Sequence, residues 1–590
     1  MCGIVGYIGI NEAGPVLLNG LRKLEYRGYD SAGIAVAGSE ITVRKGVGGI
    51  EAINAVEDFA SLKGSVGIGH SRWATHGRVS KENAHPHLDC RKEIAVVHNG
   101  IIENYAELRE QLRAAGHVFR SETDSEVIPH LIEEHMDDGK TFEDAVKKSA
   151  KKLKGSFALL VLYSKEPDKL IALRNEAPLV LGIAEEGVFA ASDCLPFLHS
   201  TKKAIFMNDG ELAVLSKGGV KHFDFRKGHS IQKQVQQIEW DGQSAGKEGL
   251  PHFMLKEIYE APAATRNALA QEANFFQAFA EELKKFRKVF LLCCGTSYHA
   301  ALVGKYLLSK NSLEAEPIIA SEFPNFVELL KEGDLVLAIS QSGETADVLQ
   351  GIKRAREKGA RIFSIVNVVG SSIARESEKT IYLNCGPEIG VASTKAFVAQ
   401  LTLFYLVHYA LKNELEKGKE DLKEISNLIK KLIEESEPQI KEIAKDFAKK
   451  QHVYFIGRGV NYPIALEGAL KLKEISYVHA EGMPAGELKH GTLALIEEGI
   501  PAVVLNPKDG NYGDCLSNGL EIKARGGTII GVSDLKNAAY DKTILLPQTQ
   551  ELFYPLLATV PLQLIAYWTA VERGNNPDKP RNLAKSVTVK

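Results

Sequence analysis

VFLLCCGTSYHAAL (residues 289–302) returns, changed but recognisable, as VYFIGRGVNYPIAL (453–466). Each copy starts with an apolar run of strand length, reaches a glycine (Gly295, Gly459), and carries a tyrosine at the matching place (Tyr298, Tyr462). An apolar run without polar alternation suits a strand buried on both faces, the kind found in parallel sheets covered by helices. The offset holds downstream, where GDLVLAIS (333–340) matches GIPAVVLN (499–506) and KGARIFSIVN (358–367) matches RGGTIIGVSD (525–534). Apolar helical segments at 397 and 561 follow at nearly the same interval. A shift of about 165 residues kept through four elements identifies two copies of one α/β domain. The join, KNELEKGKEDLKEISNLIKKLIEESEPQIKEIAKDFAKK, is charged with apolar residues at helical spacing and predicts helix.

Upstream, to about residue 240, the texture is different: short alternating strands with Gly and Asn turns, as in SVGIGHSRWAT and EIAVVHNGII. DGQSAGKEGLPHF (241–253) is polar and without periodicity, and predicts a linker. At 590 residues the chain is too long for one core and implies about three or four domains. A net charge of −3 points to neither nucleic acid nor a membrane surface as partner. The seven cysteines are scattered and form no C-x-x-C pair, which argues for a reducing cytoplasm and against a disulfide framework or a cysteine zinc site. No basic region followed by an apolar stretch opens the chain, so no signal peptide is expected. FVAQLTLFYLVHYAL (397–411) is short for a membrane span, and ELFYPLLATVPLQLIAYWTA (551–570) carries two prolines and a glutamine; both predict buried core or interface helices.

In the first α/β copy the strand DLVLAIS runs into QSGET and then a helical pattern. Such a turn aims backbone N–H groups and hydroxyls at an anion, with Ser340, Gln341, Ser342 and Thr345 as ligands. By itself it could equally be a capped turn. No G-K-[ST] follows, so a sugar phosphate suits it better than a nucleoside triphosphate. The matching NPKDGN of the second copy has lost this character and is free for another task. There, Lys471 and Glu474 share a helix face, which fits a surface ion pair as well as a proton carrier. His490 sits between glycines, and Lys585 lies in a short tail where a solvated lysine is the ordinary case. Cys2, after the initiator, is either a small buried hydrophobe or, with Met1 removed, a nucleophile carrying its own α-amine as base.

CGIVGYIG, LEYRGYDSAG, RWATHG, AHPH, HNGIIEN, SETDSE, PHFMLKEIYE, CGTSYHA, SQSGETADV, EIGVASTKAF, LKLKEISYVHAE, GELKHG and RNLAKSVTV follow one another in this order. Together they make the chain resemble, from residue 2 to 590, the glutamine–fructose-6-phosphate amidotransferase (isomerising) family, the glucosamine-6-phosphate synthases. The resemblance implies an N-terminal-nucleophile hydrolase αββα sandwich followed by two sugar-isomerase (SIS) α/β domains with parallel sheets. The expected division is a glutaminase domain at 2–240, a linker at 241–252, SIS domains at 253–430 and 431–580, and a catalytic tail at 581–590.

The same resemblance assigns roles. Met1 is lost and Cys2 attacks the glutamine amide, with Asn99 and Gly100 as oxyanion hole. Arg72 and Asp124 hold the α-carboxylate and α-ammonium, and Trp73, Thr75 and His76 surround the site, Trp73 gating an enclosed ammonia path. Ser340, Gln341, Ser342 and Thr345 bind the phosphate of fructose 6-phosphate, and Thr296, Ser297, Val391 and Ser393 line the sugar. His490 opens the ring, Lys585 forms an imine at C2, and Glu474, next to Lys471, moves a proton between C1 and C2. A homodimer is implied, with no metal and no cofactor. Gly482-Met483-Pro484 departs from a stretch that varies in the family and touches none of these positions. Amination of another keto-sugar phosphate and non-catalytic sensing are the competing readings, and Glu474, His490 and Lys585 together weigh against both.

Overall fold

The computed structural model describes residues 2–238 and 246–588. The expected loss of Met1, residues 239–240 of the expected first domain, residues 241–245 of the linker and the last two residues of the tail lie outside the described residues. The chain divides into two compact units, Met1–Gln243 with Ser586–Lys590, and Ser244–Lys585.

The first unit holds an eight-stranded and a seven-stranded sheet. In the first, the strand Gly3–Gly9 lies between Val66–Arg72 and Gly187–Ala191, antiparallel to both. In the second, Ile94–Ile102 pairs with Gly155–Tyr163. Alternate residues separate the layers, because successive side chains of a strand point to opposite faces. Ile4, Ile8 and Ile68 meet Val97, Leu160 and Leu162 between the sheets. On the outer face of the second sheet, Val96, Leu159 and Val161 pack with Leu131, Ile132 and Phe142 of two helices. The helix Ala13–Leu24 buries Leu17, Leu21 and Leu24 on the outer face of the first sheet. The result is the αββα sandwich.

The second unit contains two five-stranded sheets, both parallel throughout. Numbered along the chain within each sheet, the strands lie in the order 2-1-3-4-5 in both. The identical topology establishes the repeat seen in the sequence. Gly295 and Gly459, which the repeat aligns, have φ of 52° and 54°, so each copy leaves its first strand through the left-handed conformation that glycine adopts without strain.

Both long apolar segments are core helices. Every residue of the helix Lys395–Leu411 is buried. The helix Glu551–Glu572 has the length and composition to cross a membrane, but 89% of its apolar window is buried inside the fold. The charged join is one helix, Leu415–Phe447, whose buried residues Leu422, Ile425, Ile429, Leu432, Ile440, Ile443 and Phe447 form a stripe at helical spacing. The expected boundary at 430/431 falls inside this helix, which packs on both Lys395–Leu411 and Tyr554–Glu572.

Candidate active sites

Cys2 sits at the start of the first strand, where the ladder sets Gly3 opposite Ser71 and so brings Cys2 beside the end of Val66–Arg72. The Trp73 N–H donates to Cys2 Sγ at 3.2 Å, and Asn99 Nδ2 donates to the Cys2 carbonyl at 2.9 Å. Burial pushes the Cys2 thiol up, while the Trp73 N–H and the Arg72 guanidinium pull it back and Asp124 pushes it up further. Arg72 is itself buried, with Nη2 donating to the carbonyls of His76 and Gly77. Asp124 Oδ2 accepts from the Ile102 N–H at 2.8 Å, tying the SETDSE loop to the strand that carries Asn99 and Gly100. Gly100 has φ +123°, and a Cβ there would meet the Ser156 carbonyl oxygen at 1.9 Å. No other residue fits.

Around this core, the Trp73 ring stands edge-on to Tyr29, Thr75 is exposed, and His76 lies edge-on to Tyr105 with Nδ1 3.4 Å from Thr75 Oγ1. Sequence reasoning missed the buried His98, whose Nδ1 pairs with Ser125 Oγ at 2.8 Å and whose carbonyl accepts from His70 Nε2 at 2.9 Å. AHPH shows His85 and His87 and HNGIIEN shows His98, but neither reveals that the His85 ring stacks on His70, with centroids 4.0 Å apart.

The second site lies at the carboxyl ends of the first and third strands of the first parallel sheet, Val289–Cys293 and Leu335–Ser340, which are neighbours there. Open parallel sheets offer their ligand crevice at such a switch point. Ser340 Oγ pairs with Thr345 Oγ1 at 2.9 Å and accepts from the Gly343 N–H, while Ser342 Oγ accepts from the Glu344 N–H. Gln341 is held by its carbonyl, which accepts from the Asn367 N–H, and the helix Ala346–Glu357 starts directly after Thr345. In the second copy Asp509 occupies the corresponding turn, accepting from Asn461 Nδ2 and the Asn511 N–H. A carboxylate there would repel an anion, unlike the hydroxyls of the first copy.

Thr296 and Ser297 open the helix Gly295–Ser309. Ser297 Oγ accepts from Gln400 Nε2, and Thr296 Oγ1 donates to Glu467 Oε1 at 3.0 Å. Lys471 Nζ reaches Thr296 Oγ1 at 3.0 Å, Glu474 Oε2 at 2.7 Å and Glu467 Oε1 at 3.3 Å. The two α/β copies therefore meet in one polar array, in which Lys471 is fully buried and Glu474 half-buried. Burial works against the Lys471 ammonium, but Glu467 and Glu474 outweigh it and hold its pKa above the ordinary value. Sequence reasoning missed Glu467, although its place four residues before Lys471 and seven before Glu474 puts all three on one helix face.

Lys585 ends against Glu388, another residue missed. Glu388 Oε2 accepts from Lys585 Nζ and from Ser393 Oγ, and Oε1 accepts from the Thr394 and Ala396 N–H groups at the start of Lys395–Leu411. Burial works against the Glu388 charge, but Lys585 and those N–H groups hold it below the usual carboxylate range. Burial and the Glu388 charge push the neighbouring Glu257 up to about 8. Val391, in the same loop, donates its N–H to the Asp578 carbonyl near the tail. Thus Val391, Ser393 and Lys585 come together. His490 does not join them: it is exposed at the end of the short helix Ala485–His490 and has no hydrogen-bond partner among the described residues.

Comparisons with known proteins agree with this architecture. The glutamine amidotransferase domain family matches residues 70–199, and the SIS domain family matches 282–409 and 446–573. A glutamine–fructose-6-phosphate aminotransferase (isomerizing) of Thermococcus kodakarensis is 49% identical, and one of Aquifex aeolicus 46% identical, each over 100% of both chains. Among solved structures, the C-terminal domain of a glucosamine-fructose-6-phosphate aminotransferase from Francisella tularensis superposes with a TM-score of 0.53 at 38% identity, covering 57% of this chain and 99% of that one. A tagatose-6-phosphate ketose/aldose isomerase from Escherichia coli shares the fold alone, with a TM-score of 0.50 at 16% identity over 56% of this chain and 96% of its own. With relatives so similar from end to end, the chain belongs to the glutamine–fructose-6-phosphate aminotransferase (isomerizing) family.

Proposed function

We propose that this chain hydrolyses L-glutamine to glutamate, delivers the ammonia to fructose 6-phosphate and isomerises the product to glucosamine 6-phosphate. The observation that carries the reading is the Thr296–Lys471–Glu474 array built around a buried lysine, for which a sugar-phosphate sensor has no need.

In the glutaminase half, Cys2 is the nucleophile of the processed chain, and Asn99 Nδ2 with the Gly100 N–H stabilises the oxyanion. Two fixed donors of this kind are each worth about 3–4 kcal/mol to a tetrahedral intermediate. Arg72 and Asp124 hold the glutamine backbone charges, with Thr75, His76 and Trp73 around them, and Trp73 gates the ammonia path. Enclosure matters because water would protonate ammonia to the unreactive ammonium.

In the isomerase half, Ser340, Gln341, Ser342 and Thr345 hold the phosphate, while Thr296, Ser297, Val391 and Ser393 line the sugar. His490 opens the ring, an assignment resting on family resemblance alone. Lys585 Nζ then attacks the C2 carbonyl, losing its protons as water leaves, and ammonia displaces it. Glu474 carries the proton from C1 to C2, its carboxylate fixed by Lys471 at 2.7 Å. The domain division at 240, 252, 430 and 580, a homodimer, and a cytoplasmic location belong to the same proposal. The seven free cysteines support the last. Incubation with glutamine and fructose 6-phosphate, followed by assay for glucosamine 6-phosphate and glutamate in equal amounts, tests the whole; glutamate without amino sugar overturns it.

A further inference from the structure

Cys90, His117, His130 and Glu133 bring their ligand atoms within 4.8 Å of one another in the first unit, and none of the four has a part in either reaction. We propose that they form a structural Zn²⁺ site.

The geometry is that of a coordination shell. Cys90 Sγ lies 3.7 Å from His117 Nδ1 and 3.5 Å from His130 Nδ1, while Glu133 Oε2 lies 3.0 Å and 3.5 Å from the same two nitrogens. A tetrahedral Zn²⁺ with bonds of about 2.3 Å to sulfur and about 2.0–2.1 Å to nitrogen and oxygen spaces its ligands about 3.3–3.6 Å apart. Two of these four separations, both 3.5 Å, fall in that range, while 3.7 Å lies just above it and 3.0 Å below it. One thiolate, two imidazoles and a carboxylate form a donor set suited to zinc, and four protein ligands close the site, as structural sites require.

The groups behind the ligands fit as well. His117 Nε2 faces Glu134 Oε2 at 2.9 Å, so a ring coordinating through Nδ1 gives its single N–H to that carboxylate. The Val118 N–H points at Cys90 Sγ at 3.4 Å, the contact a thiolate accepts, and Arg91 neutralises the far oxygen of Glu133. His130 and Glu133 are buried on one face of the helix Val127–Asp137, three residues apart.

Binding would displace the Cys90 thiol proton to solvent and cross-link three segments. These are the turn leading into Ile94–Ile102, the stretch at His117–Val118, and the helix that follows Asp124. The site would hold in register the strand bearing Asn99 and Gly100 and the loop bearing Asp124. It has no C-x-x-C signature because its ligands come from positions 90, 117, 130 and 133.

The test is a Co²⁺ titration of the chelator-stripped full chain carrying Cys2→Ala, which removes the competing thiol at the N-terminus. We expect about one equivalent of Co²⁺ with a thiolate-to-cobalt charge-transfer band, displaced by Zn²⁺, and a higher thermal midpoint for the Zn²⁺-loaded chain. Adding Cys90→Ser should abolish the band, and His130→Gln should weaken binding at least about tenfold. A chain with Cys90 intact that gives no band at saturating Co²⁺, or a band that survives Cys90→Ser, overturns the proposal; the first outcome needs no variant at the site to fold.

Discussion

Lys585 Nζ donates to Glu388 Oε2, and both side chains are withdrawn from solvent, 4% and 0% exposed. A lysine five residues from the chain end is thus held by a loop that also carries Val391 and Ser393. Lys585→Arg keeps the charge but cannot form an imine, so it should retain phosphate binding and lose synthesis by at least about a hundredfold. Borohydride with fructose 6-phosphate should trap an adduct at Lys585. Trapping at another lysine, or near-normal synthesis by the arginine variant, removes it from the mechanism.

Gly100→Ala should disable the glutaminase without touching the sugar site. The added methyl would lie 1.9 Å from the Ser156 carbonyl at a φ of +123°, so the strand must shift beneath the oxyanion hole. Glutamine hydrolysis should fall about a hundredfold or more, while fructose 6-phosphate binding is unchanged. Full hydrolysis by this variant would mean that Gly100 has no part in the hole.

Removing the cation from the buried array should be costly, and removing a carboxylate with it less so. Lys471→Met leaves Glu467 and Glu474 without their shared cation and should destabilise the second unit by about 3–5 kcal/mol. Adding Glu467→Gln to that variant should restore part of the loss. Denaturant unfolding of the single and double variants measures the coupling, and simple additivity contradicts the array.

Mild acid should destabilise the first unit. His70, His85 and His87 are buried together, with His85 stacked on His70 and edge-on to His87, and burial pushes His70 down to about 3 and the other two well below their ordinary value. Arg72 faces all three and Lys45 faces His87, both adding to the shift, whereas Glu126 opposes it at His87. The folded chain keeps these rings neutral while the unfolded chain protonates them near pH 6.5, so the unfolded state binds more protons below that pH. Stability is therefore complete above about pH 6.5 and falls below it, by about 2 kcal/mol between pH 7 and 5 from His70 alone. The thermal midpoint of the first unit should drop by several degrees over that interval. A midpoint that rises toward pH 5 contradicts neutral burial.

Local chemistry made much of this protein readable as a string. The apolar runs at 289, 335, 453 and 501 announce buried parallel strands because no other arrangement hides both faces, and their constant offset announces the repeat. The clustered hydroxyls of SQSGET are legible as a strand-to-helix turn, since turn, strand end and helix start are all local. Glu388 and the Cys90–His117–His130–Glu133 cluster carry no such signal. Their chemistry arises only when segments far apart in sequence are packed together and water is removed, and no periodicity records which loop carboxylate will be buried. Lys471 shows the divide within one residue: its spacing to Glu474 put the pair on one helix face, but only packing against Thr296 of the other α/β copy shows that the lysine is withdrawn from solvent.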